Sequence, residues 1–195
     1  MPDHGLTPLD DALAGSLFAL ESAEFEARPD GKRRDALATG NDLAVAYCEA
    51  ERFDEAITLL RRVVVDCMDN LDPDDPDTLM AAGNLGVAHA WLGQWDDAVP
   101  LLEYVVTARE RVLGADHRAT VVARDALAVA YRLCGRLPDA IVLHARVVEQ
   151  RIRLLGPAHP DTLTSRCGLA LARGAEGSTG AVSYTHLTLP TILRV

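Results

Sequence analysis

Residues 79–93 read LMAAGNLGVAHAWLG, with apolar or small side chains spaced at i, i+4 and i+8 and a glycine at the end. That period belongs to a helix, and the closing Gly93 supplies the left-handed residue that ends one cheaply. The pattern recurs 42 residues earlier as LATGNDLAVAYCEAE (37–51) and 42 residues later as VVARDALAVAYRLCG (121–135). Leu43, Leu85 and Leu127 hold the same place, and Leu169 continues the series. Four residues on come Tyr47, His89 and Tyr131, and nine beyond those Ala56, Ala98 and Ala140, each led by an acid (Glu55, Asp97, Asp139). So many positions in register over three units make an internal repeat, and the repeat decides the fold.

Each unit is predicted to hold two helices. The second starts near Phe53, Trp95 and Leu137 and carries stripes such as Ala98, Leu101, Leu102 and Val105. The units are joined by NLDPDDPDT (70–78), VLGADHRAT (112–120) and LLGPAHPDT (154–162). In the first and last of these, Pro76 and Pro160 suit a first helical position, and Asp77 and Asp161 complement the positive first turn. Nothing reads as a strand, so the expected class is all-α. One apolar stripe per helix cannot be buried within a single pair, and neighbouring pairs must therefore stack into a solenoid.

Leu43/Leu85/Leu127, the small Ala44/Gly86/Ala128, Tyr47/His89/Tyr131 and Ala56/Ala98/Ala140 together resemble the tetratricopeptide repeat, in the 42-residue form of kinesin light chains. The resemblance implies a right-handed α-solenoid of antiparallel helix pairs over residues 35–177, with units at about 37–78, 79–120 and 121–162 and a partial one at 163–177. The eight residues beyond the usual 34 would add roughly 12 Å of helix per unit at about 1.5 Å per residue. The resemblance also implies a non-catalytic scaffold whose first helices line a concave groove for a peptide or partner segment. The groove residues carried over are Asn41, Asp42, Asn84 and Asp125 for the partner's backbone, Val45, Val87 and Val129 one turn later, and Arg132 beyond them. The basic set that clamps a C-terminal carboxylate in chaperone-binding relatives is absent, which favours an apolar or basic-flanked peptide over an acidic one. The alternative is a sensor arm severed from a larger bacterial signalling NTPase or transcriptional regulator.

The two ends depart from the register. Residues 9–28 form an amphipathic segment with Leu9, Leu13, Leu17 and Leu20 on one stripe, and residues 1–34 are expected to be a capping helix followed by the linker ARPDGKRRD. Residues 178–195 are expected to be a non-native or disordered tail: AVSYTHLTLPT (181–191) resembles translated sequencing adapter. Without a polar outer face on the last helix, self-association through that open end is expected.

Composition narrows the chemistry. Across 195 residues there are 29 acids and 19 bases, a formal charge of −10, which disfavours nucleic acid and anionic membranes as partners. No 18-residue apolar run or signal-peptide pattern occurs, so a cytoplasmic protein is expected. All but one of the bases (Lys32) are arginine, a bias that points to a GC-rich bacterial gene. Cys48, Cys67, Cys134 and Cys167 lack metal or redox spacing and read as small buried hydrophobes. The acids Asp66, Asp69, Asp72, Asp74, Asp75 and Asp77 lack the glycine and glutamate of a calcium loop and read as helix caps. His89, His117, His144 and His159 read as structural, and Arg109/Arg111 and Arg151/Arg153 as cations at helix C-termini. No nucleophile elbow or phosphate-binding loop appears. No enzyme, metal or cofactor is expected.

Overall fold

The computed structural model describes residues 30–177, with side chains from Arg34 onward. Seven helices follow one another: α1 (Asp30–Glu49), α2 (Phe53–Asn70), α3 (Pro76–Trp91), α4 (Trp95–Leu113), α5 (Arg118–Leu133), α6 (Leu137–Leu155) and α7 (Pro160–Gly177). No strand occurs among the described residues. The second helices start at the three positions the register predicts. α1 begins inside the stretch read as a linker. Its charged and glycine-bearing start is held by packing: Ala36 and Leu37 are buried, and Arg34 reaches Asp75 at 2.6 Å and Asp77 at 2.7 Å in the next unit's first turn. The amphipathic segment 9–28 and the tail 178–195 lie outside the described residues.

Within each unit the turn between the two helices closes by the same pair of backbone bonds. Gly93 N–H donates to Ala90 O (3.1 Å) and Gln94 N–H to His89 O (3.0 Å). Glu51/Arg52 and Gly135/Arg136 repeat this, so all three turns are Schellman closures. The closure needs a left-handed residue, supplied by Gly93 (φ 69°) and Gly135 (φ 86°), but by Glu51 (φ 59°) in the first unit. The side chain of the next residue then folds back on the 47/89/131 position. Arg52 lies 4.8 Å from the Tyr47 ring centre and Arg136 4.0 Å from that of Tyr131. In the middle unit Gln94 Oε1 meets His89 Nδ1 at 2.5 Å. The exchange of tyrosine for His89 thus goes with the exchange of arginine for Gln94.

Between units the first helices are capped locally. The Asp75 side chain accepts from Asp77 N–H at 3.0 Å, and His117 and His159 use Nδ1 to accept from Ala119 and Asp161 N–H, both at 3.2 Å. Thr78 and Thr162 close the preceding loop by donating to Asp72 O and Gly156 O.

Each first helix packs on its own second helix and on the second helix before it, where there is one, and the first helices also touch one another, α1 with α3, α3 with α5 and α5 with α7. The second helices form the looser outer row. The small residues of the repeat set the spacing: a Cβ at Gly86 would lie 2.9 Å from Leu102 Cγ. Leu60, Leu79 and Leu102 are essentially sealed, each contributing roughly 1.5–3 kcal/mol by burial. α3 is buried without a break from Ala81 to Ala90.

Candidate functional site

The layer of first helices carries the residues expected to meet a partner. Asn41, Val45, Asn84, Val87, Asp125, Val129 and Arg132 are all buried, and Asp42 is exposed. Asn41 and Asn84 face each other across α1 and α3, with Asn84 Nδ2 donating to Asn41 Oδ1 at 2.8 Å. The remaining halves of both amides, Asn41 Nδ2 and Asn84 Oδ1, have no hydrogen-bond partner. One open donor and one open acceptor are thus left on adjacent first helices. Each unbonded group costs about 1–3 kcal/mol of lost hydration.

Asp125 stands one unit further along, in register with Gly83 and two units on from Asn41, but its carboxylate is committed inside the protein. It pairs with Arg151 Nη1 at 3.0 Å and accepts from Ser165 Oγ at 3.2 Å. His144 Nδ1 lies 3.3 Å away, but neither ring nitrogen has a hydrogen-bond partner. Arg151 also donates to Ser165 Oγ and to Asp161 O, both at 2.7 Å. This cluster ties α5, α6 and α7 together. Beside it the fully buried Arg124 bonds Glu110 and Gln150, and Gln150 reaches Asp116 Oδ1 at 2.7 Å.

The residue types Ser165, His144 and Asp125 invite a charge-relay reading, but the wiring differs. The serine bonds the carboxylate rather than the imidazole, and all three are sealed to within 2 %. A nucleophile must lie within reach of its base. The cluster is a buried ionic tie between helices.

The tetratricopeptide-repeat family matches residues 36–77 and again residues 77–141, together more than half of the chain. Among solved structures, nearly identical TPR-like repeats from Podosopora anserina, provisionally named a kinesin light chain, are 29% identical with a TM-score of 0.71, covering 87% of this chain and 79% of that one. A point variant of the same repeats matches with a TM-score of 0.72 at the same identity and coverage. BtubC (BKLC) from P. vanneervenii shares the fold with a TM-score of 0.68 at 17% identity, over 87% of this chain and 67% of that one. No curated protein matches significantly.

The chain belongs to the tetratricopeptide-repeat family. Its form is the kinesin-light-chain-like one with the 42-residue period. Tetratricopeptide repeats generally mediate protein–protein interactions and are typically non-catalytic scaffolds, and the seven helices among the described residues pack into such an array. No described helix is long and apolar enough to cross a membrane.

Within the tetratricopeptide array the remaining candidates find structural employment. Of the acids in 66–77, four cap and cross-link: Asp72 Oδ1 accepts from Asp74 N–H at 2.8 Å, Asp74 pairs with Arg111, and Asp75 and Asp77 hold Arg34, whereas Asp66 and Asp69 lie within the last turns of α2 rather than at a cap. Arg153 repeats the Arg111 contact one unit later, meeting Asp116 at 2.9 Å. Arg109 and Arg151 do more than complement a helix end. Both are buried, and each donates to a carbonyl in the first turn of the next first helix, Ala119 O (3.0 Å) and Asp161 O (2.7 Å). Their long stems cross the inter-repeat seam. Of the cysteines only Cys67 is sealed, and burial lifts its thiol to about 11. Cys48 and Cys134 are half-buried, and Cys167 is exposed because it lies on the face of α7 that no described helix covers.

Proposed function

We propose that this chain is a non-catalytic interaction scaffold that receives an extended partner segment along the layer of first helices. The observation that carries this reading is the Asn41–Asn84 pair, with one free donor and one free acceptor on adjacent first helices. An extended backbone presents alternating C=O and N–H groups, and one residue of it can satisfy both amides. Bringing those groups in recovers the hydration that Asn41 Nδ2 and Asn84 Oδ1 have lost. Exposed Asp42 adds a negative charge beside the pair, which favours a segment with a basic flank.

Peptides selected from a random display library against the array are the probe. Replacing Asn41 and Asn84 together by Ala is expected to weaken the selected peptides about 10-fold or more, at one lost hydrogen bond each. Folded stability should change little, because both halves of the internal bond leave together. Unchanged peptide affinity in the double variant would remove these residues from the account.

Self-association through α7 is the second reading, favoured by Leu163, half exposed on that helix, and by exposed Leu155 at the end of α6. Sedimentation of the chain and of Leu163→Glu should then show an oligomer only for the former. A monomer in both cases argues against it.

A further inference from the structure

The cluster around Asp125 occupies a slot that the repeat builds three times. Its corners are one residue on a first helix, one near the end of the following second helix and one on the next first helix. In the first slot they are Asn41, Cys67 and Ala81, without an ionised group. In the third they are Asp125, Arg151 and Ser165, where cation, carboxylate and hydroxyl complete one another at 2.7–3.2 Å. In the second they are Gly83, Arg109 and Ala123. That slot has the cation alone. Arg109 is 5% exposed, and its guanidinium makes one hydrogen bond, from Nη1 to Ala119 O. No carboxylate pairs with it among the described residues, and burial pulls its pKa down.

A buried cation without a counter-charge is costly, and a protein normally supplies a partner or leaves room for one. Here there is room. A cavity of about 310 Å³ opens beside Arg109 between α3, the end of α4 and the start of α5. Its walls include Leu79, Met80, Val112 and Leu113, so it is apolar apart from the guanidinium and the rim. The rim carries Asp74, Asp77 and His117. Both acids are already neutralised, Asp74 by Arg111 at 2.5 Å and Asp77 by Arg34 at 2.7 Å, while His117 Nδ1 is occupied in capping α5.

We propose that this cavity is a binding site for a small carboxylate with a compact apolar body, whose carboxylate pairs with Arg109 from the cavity side, supplying the counter-charge that Asp125 supplies to Arg151. The volume falls at the small end of ligand pockets and suits a body the size of a leucine side chain or a medium-chain acid. The guanidinium offers two parallel N–H donors to a carboxylate, which an ammonium or an amide cannot match. The site lies in the seam between units, apart from the Asn41–Asn84 layer, so its failure leaves the proposed scaffold function untouched.

Two probes separate the sources of such a carboxylate: octanoate for a free acid and N-acetyl-leucine for a peptide C-terminus. Titration calorimetry on the full chain should show saturable one-to-one binding of at least one of them, with the better binder naming the source. Octanol, with the same body and no charge, should bind about 10-fold more weakly or worse. Arg109→Gln should lose about 10- to 100-fold in affinity, while Arg153→Gln, at an arginine that pairs with Asp116 one unit away from the cavity, binds as the parent does. Two variants guard against a folding defect. Val112→Trp fills the cavity from an exposed wall position and should abolish binding, and Gly83→Asp should abolish it by giving Arg109 an internal carboxylate. No binding of either acid, or binding that survives both Arg109→Gln and Val112→Trp, overturns the proposal.

Discussion

Helices α3 and α5 hold the same place in successive units, yet they are buried in opposite ways. α3 presents Ala82 and Gly83 where α5 presents Arg124 and Asp125, and all four are sealed from solvent. Around α3 the seam holds no buried ion pair and is set by close contacts such as Gly86 on Leu102, with the Asn41–Asn84 bond and the lone Arg109 cation as its polar elements. Around α5 it is ionic, with Asp125 on Arg151 and Arg124 on Glu110. One backbone register thus tolerates both a dry and a charged interface. What the register demands is small volume or complete pairing at these positions, and a half-filled slot such as that of Arg109 stands out for that reason.

The largest effect should come from breaking the charged seam on one side. Asp125→Ala strands the buried Arg151 without its carboxylate and should cost about 3–5 kcal/mol, read from the urea midpoint. Converting the seam to the dry kind is the sharper test. Asp125→Gly, His144→Leu, Arg151→Met and Ser165→Ala together should leave the array as stable as before, or up to about 4 kcal/mol more stable, because desolvation of the ions is no longer incurred. A loss comparable to that of Asp125→Ala alone would mean that α5 depends on its charges in a way α3 does not.

Smaller effects test how equivalent the units are at their ends. Glu51 adopts the left-handed conformation that glycine holds at Gly93 and Gly135. Glu51→Gly should therefore stabilise the chain by about 1 kcal/mol, which thermal melting detects. His117 caps α5 where Asp75 caps α3. His117→Ala should cost about 0.5–1 kcal/mol, and His117→Asp should restore or exceed the original melting temperature.

The architecture was legible because the repeat prints its helices three times over. The second-helix starts at Phe53, Trp95 and Leu137 and the closing glycines follow from spacing alone. The caps at Asp75, His117 and His159 were legible as turn positions, though the imidazole's part as acceptor shows only in the geometry. The charged seam was not legible in the same way. Asp125 stands in the register of Asn41, and position on a helix does not say whether a carboxylate turns to a partner or to an arginine 26 residues on. A signal existed in the replacement of Ala82-Gly83 by Arg124-Asp125 together with Leu102 by His144: three polar changes confined to one seam. Arg109 was masked in another way, since a cation near a helix C-terminus has a sufficient local explanation. Only its burial shows that it points inward.

The claim that a partner lies along the first helices is tested most directly by the side-chain amide resonances of Asn41 and Asn84. With a selected peptide added, the account predicts that both NH₂ signals shift and that Asn41 Nδ2 gains protection from solvent exchange as its open donor is filled. Signals that stay in place while the peptide perturbs the second helices α2 and α4 would contradict it.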